Sequence, residues 1–285
     1  MKITRLLLWI LIATGVQHPS SGQAPSFNFH HLSTDAGLSN GTIRGVAKDK
    51  YGYIWIGTLN GLNRYNGYDV KVFRHNRLDT FSLPENAIGG LLCDHNGDLW
   101  VSTRKGICAY NYSTARFTLL PGSGQARVLK MQQAANDTLY VATSKGLALF
   151  STNRPVFTYV ADHCSGISKA LLSRWVGDVC PGPHGTFYLA TDTGLVVYDP
   201  AARQAKRVVI KPLGNRGIGK LGIDKNENVW MSYGDGNDSL LCVDKDFSVF
   251  HVYGQYFVSP NNLKDNTISA IFVDNKNRVW VSAVR

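Results

Sequence analysis

Short apolar segments recur along this chain, and each is centred on an aromatic residue. Polar and glycine-rich segments separate them, and successive centres lie 45, 40, 48, 42 and 50 residues apart. A period of that length is typical of folds assembled from copies of one small unit. We therefore predict six copies, centred on Trp55, Trp100, Tyr140, Tyr188, Trp230 and Trp280.

The residues next to each aromatic predict a strand that is buried on both faces. Both neighbours are apolar in every copy, as Ile54 and Ile56 are around Trp55. Because side chains alternate between the two faces of a strand, this pattern indicates a sheet that is covered on both sides. A small residue two positions after the aromatic favours tight packing. These small residues are Gly57, Ser102, Ala142, Ala190, Ser232 and Ser282.

Turn residues flank the buried strand at fixed distances. An aspartate lies six residues before the aromatic in four copies, and a glycine lies six residues after it in five. The Asp-x-x-Gly pattern, as in Asp49–Gly52, favours a tight reversal between two strands. Each copy is therefore predicted to continue into a third strand and a weaker fourth one. The third strands begin at Gly61, Gly106, Gly146 and Gly194, and the fourth lie around Phe73, Phe117, Phe157, Val208 and Phe250.

Four-stranded sheets that are covered on both faces and repeat in series are typical of the blades of a β-propeller. The chain shows no sustained 3.6-residue apolar period, which argues against a helical solenoid. We predict an all-β fold over residues 25–285. It is an incomplete β-propeller of four-stranded antiparallel blades, with five full repeats and a sixth that is truncated.

The N-terminus has the layout of a secretion signal. Lys2 and Arg5 precede a short apolar stretch at residues 6–16, and small residues follow at 20–24. The apolar stretch is too short to span a bilayer comfortably. We predict a signal peptide over residues 1–24 and an exported, periplasmic product, with a retained membrane anchor as the alternative.

Charge and cysteine content narrow the function classes. The chain has 30 lysines and arginines against 20 acidic residues, but this excess of +10 is scattered along the sequence. An exported protein rarely meets nucleic acid, so we expect no nucleic-acid partner. The five cysteines lack metal-ligand spacing. Cys164 and Cys180 are the best candidates for a disulfide, although buried free thiols are favoured.

No catalytic or metal-binding motif stands out in the sequence. The segment Asp94–Asp98 resembles the start of a calcium loop, but its twelfth position is Lys105, where an EF-hand requires glutamate. A hairpin turn is favoured there. Nucleophile-elbow, zinc-helix and phosphate-loop motifs do not occur. We expect no catalytic residue, no metal and no cofactor.

The predicted fold indicates where a ligand would bind. In a propeller, the loops that lead into the innermost strands gather around the central channel on one face. Among their residues, Trp175 lies outside the repeated aromatic position, and a ring beside polar groups suits a sugar. The alternative is a tryptophan that only covers the groove between two blades. The candidate ligand-binding residues are Asn40, Arg44, Glu85, Asn86, Arg174, Trp175, Arg216 and Asn266.

Two segments of the first repeat carry a family resemblance. They are GLSNGTI at residues 37–43 and DKYGYIWIGTLNGLNRYNG at residues 49–67. Together they closely resemble the two-component regulator propeller repeat, which builds the periplasmic sensor region of hybrid two-component systems in gut Bacteroidetes. The second repeat also matches well, and the later ones match in part. The resemblance covers most of residues 27–285.

The resemblance implies a sensing function. Similar proteins detect breakdown products of complex polysaccharides and switch on the matching utilisation genes. By this resemblance we expect the periplasmic ligand-sensing part of a hybrid sensor histidine kinase that is anchored in the inner membrane, with no kinase activity of its own. The expected partners are an oligosaccharide or other small ligand, the remainder of the sensor kinase and a second copy in the intact protein. The alternatives are a secreted propeller lyase or glycan-acting enzyme, and a non-catalytic protein-interaction scaffold.

Overall fold

The strands of the computed structural model are arranged as a series of small antiparallel sheets. The structure describes residues 31–134, 136–211, 213–234, 239–253 and 267–284. The predicted signal peptide and Asn266 lie outside these residues. In the described part of the chain there are five four-stranded sheets and one two-stranded sheet, with strands in sequence order. The prediction of an all-β propeller architecture is confirmed.

The strands follow one another as simple meanders. The first sheet comprises β1 Ile43–Lys48, β2 Ile54–Thr58, β3 Gly61–Tyr65 and β4 Val70–Phe73. The second comprises β5 Ile88–Cys93, β6 Leu99–Thr103, β7 Gly106–Asn111 and β8 Arg116–Leu119. The third comprises β9 Val128–Gln133, β10 Thr138–Thr143, β11 Gly146–Ser151 and β12 Thr158–Tyr159.

The later sheets repeat this order. The fourth comprises β13 Val176–Pro181, β14 Phe187–Thr191, β15 Gly194–Asp199 and β16 Gln204–Arg207. The fifth comprises β17 Ile218–Ile223, β18 Val229–Tyr233, β19 Ser239–Val243 and β20 Phe250–Tyr253. The two-stranded sheet comprises β21 Thr267–Val273 and β22 Val279–Val284. Phe157 and Val208, which were predicted in outer strands, lie just outside β12 and β16.

Helices are few and short. The α-helix α1 spans Gly166–Leu172, and 3₁₀ turns occur at Ser123–Gln125, Val160–His163 and Pro183–Gly185. Leu172 of α1 packs between the third and fourth sheets. No helix in the described part of the chain has the length and apolar character needed to cross a bilayer.

Successive sheets pack face to face through the repeated aromatic residues. Trp55 joins a buried cluster with side chains of the second sheet, and Trp100 joins one with the third. Tyr140 and Tyr188 occupy the same place at the next two interfaces. Each sheet thus buries its face against the next one, because a single unit is too small to form a core. The sheets do not close on one another within the described residues, and Trp280 of the two-stranded sheet is 54% exposed.

The repeated aspartate holds the repeated tryptophan. In the first sheet, Oδ2 of Asp49 accepts a hydrogen bond from Nε1 of Trp55 at 2.7 Å. Its Oδ1 accepts from the backbone N–H groups of Tyr51 and Tyr53, which closes the turn between β1 and β2. The same carboxylate–indole bond recurs at 2.9, 3.1 and 3.0 Å in the second, fifth and last sheets. The aspartate therefore stabilises the turn and satisfies the indole N–H at once.

The turn between the second and third strands also has a repeated structure. The hydroxyl of Thr58 donates to the carbonyl of Gly61 and accepts from the backbone N–H of Asn60. Gly61 has φ +131°, a conformation that favours glycine. The later repeats place the same threonine-to-glycine bond at 3.1, 2.8 and 2.7 Å. The predicted glycine of the repeat is thus a requirement of the hairpin turn.

All five cysteines are free thiols. The candidate disulfide between Cys164 and Cys180 is therefore not formed. Cys164 precedes α1 and lies 3.4 Å from the carbonyl oxygen of Arg203. Cys180 belongs to the inner strand β13 and packs toward the fifth sheet. The two thiols thus face different interfaces, and the favoured prediction of free thiols holds.

Candidate functional site

The six innermost strands converge on a central cavity of about 560 Å³. Its lining comes from the first residues of these strands, from the residues just before them and from turns between second and third strands. Every sheet contributes at least one residue. The cavity lies where the loops leading into the innermost strands were predicted to gather.

A β-bulge near the start of each innermost strand shapes this cavity. In all six sheets the register with the second strand shifts at this point, so that two residues oppose one. Bulges re-aim side chains and are common beside binding sites. The first residue of every bulge lines the cavity. These residues are Arg44, Gly89, Leu129, Gly177, Gly219 and Ser269.

The residue opposite each bulge is the small residue that the repeat predicted. Ser102 opposes Gly90, and its hydroxyl donates to the Gly90 carbonyl at 3.3 Å. The Ser232 hydroxyl accepts a hydrogen bond from the backbone N–H of Lys220 at 2.9 Å. A Cβ on Gly57 would lie 2.5 Å from Cγ2 of Ile88 in the next sheet. The residue opposite the bulge must be small because the bulged strand and the next sheet both lie close to its Cβ position.

The lining of the cavity is cationic. Arg44, Arg104, Arg127 and Lys220 come from four different sheets. Among the residues that the structure describes, no aspartate or glutamate lines the cavity. None of the four cations forms an ion pair with another described residue. A recess with charges of one sign and walls of low dielectric concentrates the electrostatic field and attracts anions.

Asp178 follows Gly177 in strand β13, and its carboxylate already accepts hydrogen bonds from the protein. It is buried, and its carboxylate accepts hydrogen bonds from the backbone N–H groups of Val179 at 2.8 Å and Leu221 at 3.2 Å. Lys130 lies 3.9 Å from it. These contacts tie the fourth sheet to the fifth.

Trp175 supplies the aromatic surface of the cavity. The ring is half-buried and lies over Gly177, where an added Cβ would be 2.0 Å from Cη2 of the indole. Glycine at this bulge therefore makes room for the ring. An indole that is packed on one side and borders a polar recess is suited to stacking on a ligand ring.

The comparisons with known proteins agree with this architecture. The family model "Two component regulator propeller" matches residues 37–60, 82–105 and 262–285. Three segments of the chain thus match the two-component regulator propeller repeat. The extracellular domain of a putative hybrid two-component system from B. thetaiotaomicron superposes with a TM-score of 0.70 at 22% identity. That match covers 89% of this chain and 34% of the other.

Two further similarities are to a histidine kinase and to a lyase. A histidine kinase, P4, of Formosa agariphila is 34% identical over 61 residues, which are 21% of this chain and 4% of that protein. Virginiamycin B lyase from Staphylococcus aureus has a TM-score of 0.59 at 10% identity, covering 86% of this chain and 85% of the lyase. The chain thus spans about a third of the hybrid sensor domain and a small part of the kinase. At these identities the superpositions show a shared fold.

The propeller repeats bring two of the predicted ligand-binding residues together. Arg44 and Trp175 both line the central cavity. Asn40 accepts a hydrogen bond from the backbone N–H of Thr42, within its own loop. The other candidates contribute to loop structure or lie elsewhere, and their role in binding stays a prediction.

Glu85 and Asn86 hold the loop before β5. Oε2 of Glu85 accepts a hydrogen bond from the backbone N–H of Arg104 at 3.1 Å. Oδ1 of Asn86 accepts from the backbone N–H of His75 at 2.7 Å, and its carbonyl accepts from Gly61 N–H. The Glu85 bond holds the turn that carries Arg104 beside the cavity, and the Asn86 bonds hold the loop before β5.

Arg174 and Arg216 lie near a second, shallower cavity. Arg174 pairs with both carboxylate oxygens of Asp192, at 3.1 and 2.7 Å. Arg216 lines the second cavity beside Asp192 and Lys211, and its guanidinium lies 5.8 Å from the ring centre of Tyr233. Asn266 lies outside the described residues.

Three cationic lining residues were missed in the sequence. Arg127 precedes β9 and could have been found, because the loop leading into the third sheet is equivalent to those considered. Arg104 lies in a turn between second and third strands, and nothing in the sequence pattern places that turn beside the cavity. Lys220 follows a bulge, and the repeat pattern contains no signal for a bulge.

Proposed function

We propose that this chain is the ligand-binding part of a periplasmic sensor in two-component signalling, and that its ligand is a carbohydrate. Binding would be passed to the remainder of a sensor histidine kinase and so control genes for polysaccharide utilisation. The observation that carries the proposal is the central cavity, where Trp175 lies among hydrogen-bonding groups on the face predicted for a ligand.

The size and lining of the cavity support a short oligosaccharide. Its volume of about 560 Å³ lies within the usual range of small-molecule sites, about 300–1,000 Å³. A sugar presents an apolar face for stacking and hydroxyl groups at its edges. The Trp175 ring and the surrounding polar groups match these two requirements.

A lyase is the second candidate, because the fold also occurs in virginiamycin B lyase. An eliminating enzyme needs a general base within reach of the substrate. The described part of the cavity lining contains no histidine, aspartate or glutamate, and its titratable side chains are arginines and one lysine. This lining favours binding without turnover.

The test is a binding and turnover assay on the purified chain. Oligosaccharides from different polysaccharides are added, and the melting temperature and the products are followed in the same samples. We expect one class of oligosaccharide to raise the melting temperature, since a ligand that binds only the folded state stabilises it. The oligosaccharide should be recovered uncut.

Trp175→Ala provides the matched variant. It should abolish the ligand-dependent rise, measured against the melting temperature of the free variant, because the ring borders the cavity. Tyr68→Ala, at a 91% exposed aromatic outside the cavity lining, is the control. Cleaved product from the wild-type chain would refute the sensor proposal and favour a lyase.

A further inference from the structure

We infer that the central cavity takes an anionic ligand, namely an oligosaccharide that carries carboxylate or sulfate groups. The inference rests on the proposed function and narrows its substrate class. Its basis is the set of four cations that the propeller collects from four sheets, Arg44, Arg104, Arg127 and Lys220.

What sets the cavity apart is that four unpaired cations share one recess. Five cations elsewhere in the described part of the chain pair with a carboxylate, as Lys50 does with Asp98 at 3.1 Å and Lys245 with Asp246 at 3.0 Å. The four cavity cations have no such partner among the described residues. Like charges gathered in one recess repel one another, so the arrangement favours a ligand that neutralises them.

The kind of cation points to an oxyanion. Three of the four are arginines, whose planar guanidinium presents parallel N–H donors that match the two oxygens of a carboxylate or sulfate. Neutral sugar hydroxyls need no such fork. Arg44 occupies a bulge position, which directs its side chain into the cavity.

The lining also argues for a sugar rather than a free inorganic anion. A sulfate or phosphate ion would fill a small part of about 560 Å³. Trp175 adds a ring surface that such an ion cannot use. An acidic oligosaccharide uses the charge, the ring and the space.

The first experiment compares acidic ligands with their neutral derivatives. Isothermal titration calorimetry at low ionic strength uses a galacturonate trisaccharide and its methyl ester, together with a sulfated galactan tetrasaccharide and its desulfated form. We expect one of the acidic ligands to bind at least about 30-fold more tightly than its neutral form. The better acidic partner identifies the group as carboxylate or sulfate. Rising salt should weaken binding, since it screens the attraction.

The second experiment removes charge from the protein. Arg44→Gln with Arg127→Gln should weaken the acidic ligand about 100-fold, because each arginine contributes a charge-assisted bond. The matched control is Arg154→Gln with Lys206→Gln, which removes the same net charge outside the cavity lining. The control pair should change the affinity less than about threefold.

The outcomes separate the two proposals. If the neutral forms bind as well as the acidic ones, or if the cavity pair and the control pair have equal effects, the charge inference is overturned while carbohydrate sensing stands. If inorganic sulfate alone binds, both are overturned. If neither acidic oligosaccharide binds at low ionic strength, where electrostatic attraction is strongest, the charge inference is wrong.

Discussion

Replacing Asp49 by alanine should destabilise the propeller through the first carboxylate–indole bond. Asp49 and Trp55 are 5% and 0% exposed, so the indole N–H has no access to water once its acceptor is lost. A buried donor without a partner costs about 2 kcal/mol, and the two turn bonds from Tyr51 and Tyr53 add about 1 kcal/mol each. The free energy of unfolding should fall by about 4 kcal/mol, which corresponds to about 10 °C in a domain of this size.

The last sheet provides a control for this substitution. Asp274 makes the same two kinds of bond, to the Trp280 indole at 3.0 Å and to two turn N–H groups. It also pairs with the exposed side chain of Arg278 at 2.7 Å, a contact that water screens and that contributes little. Trp280 is 54% exposed, however, so water can replace the lost acceptor. Asp274→Ala should therefore lower the melting temperature much less than Asp49→Ala does.

The measurement is thermal and urea unfolding of both variants, followed by circular dichroism and by tryptophan fluorescence. Agreement between the two probes checks that unfolding is cooperative enough to compare free energies. Asp49→Asn should lie between wild type and alanine, at about 2 kcal/mol, because its Oδ1 can keep the turn bonds while the indole loses its acceptor. Equal losses for the Asp49 and Asp274 variants would refute the argument from burial.

Three further predictions concern the site, a thiol and a carboxyl group. Gly177→Ala should displace the Trp175 ring and weaken ligand binding at least about tenfold by calorimetry, whereas Gly41→Ala, which meets no atom within 4 Å, should leave it unchanged. Burial raises the pKa of the Cys108 thiol to about 12, so iodoacetamide at pH 8 should alkylate it only after unfolding, as mass spectrometry would show. The hydrogen bond from the Trp280 indole lowers the pKa of Asp274. The pKa of Asp274, measured by NMR titration, should therefore lie below the usual range for aspartate and should rise in Trp280→Phe. A carboxyl group whose pKa is lowered by folding stabilises the folded state at pH values above its unfolded-state pKa. That stabilisation is lost as the pH falls through the folded-state pKa.

The sequence was sufficient to predict the fold because each repeated residue has a local physical task. The threonine and glycine close one turn, and the aspartate closes another. The copies that have tyrosine at the central position, Tyr140 and Tyr188, have Ala134 and Gly182 where the others have aspartate. Tyrosine has no indole N–H to satisfy, so the aspartate and the tryptophan occur together. The sequence pattern indicated the role of the aspartate in the turn but not its hydrogen bond to the indole.

The site was harder to predict because it depends on strand register. A bulge adds one residue to a strand without changing the apolar pattern around it. The sequence therefore placed Arg44 near the channel but could not show that it occupies the same position as Gly177 or Ser269. Asn40, Glu85 and Asn86 lie in the expected loops, yet their side-chain oxygens accept hydrogen bonds from backbone N–H groups: Asn40 and Asn86 within their own loops, and Glu85 from the turn that carries Arg104.

The bulge explains how one repeated unit can form a specific site. The residue opposite it is small in every copy, because two strands and the next sheet crowd that point. The bulge residue varies more: it is glycine in three copies and arginine, leucine or serine in the others, namely Arg44, Gly89, Leu129, Gly177, Gly219 and Ser269. Packing restricts the residue opposite the bulge to a small one, whereas the bulge residue borders the cavity and can be small or large. Ligand specificity in this propeller should therefore be sought where the copies disagree, at positions that the repeat signature leaves open.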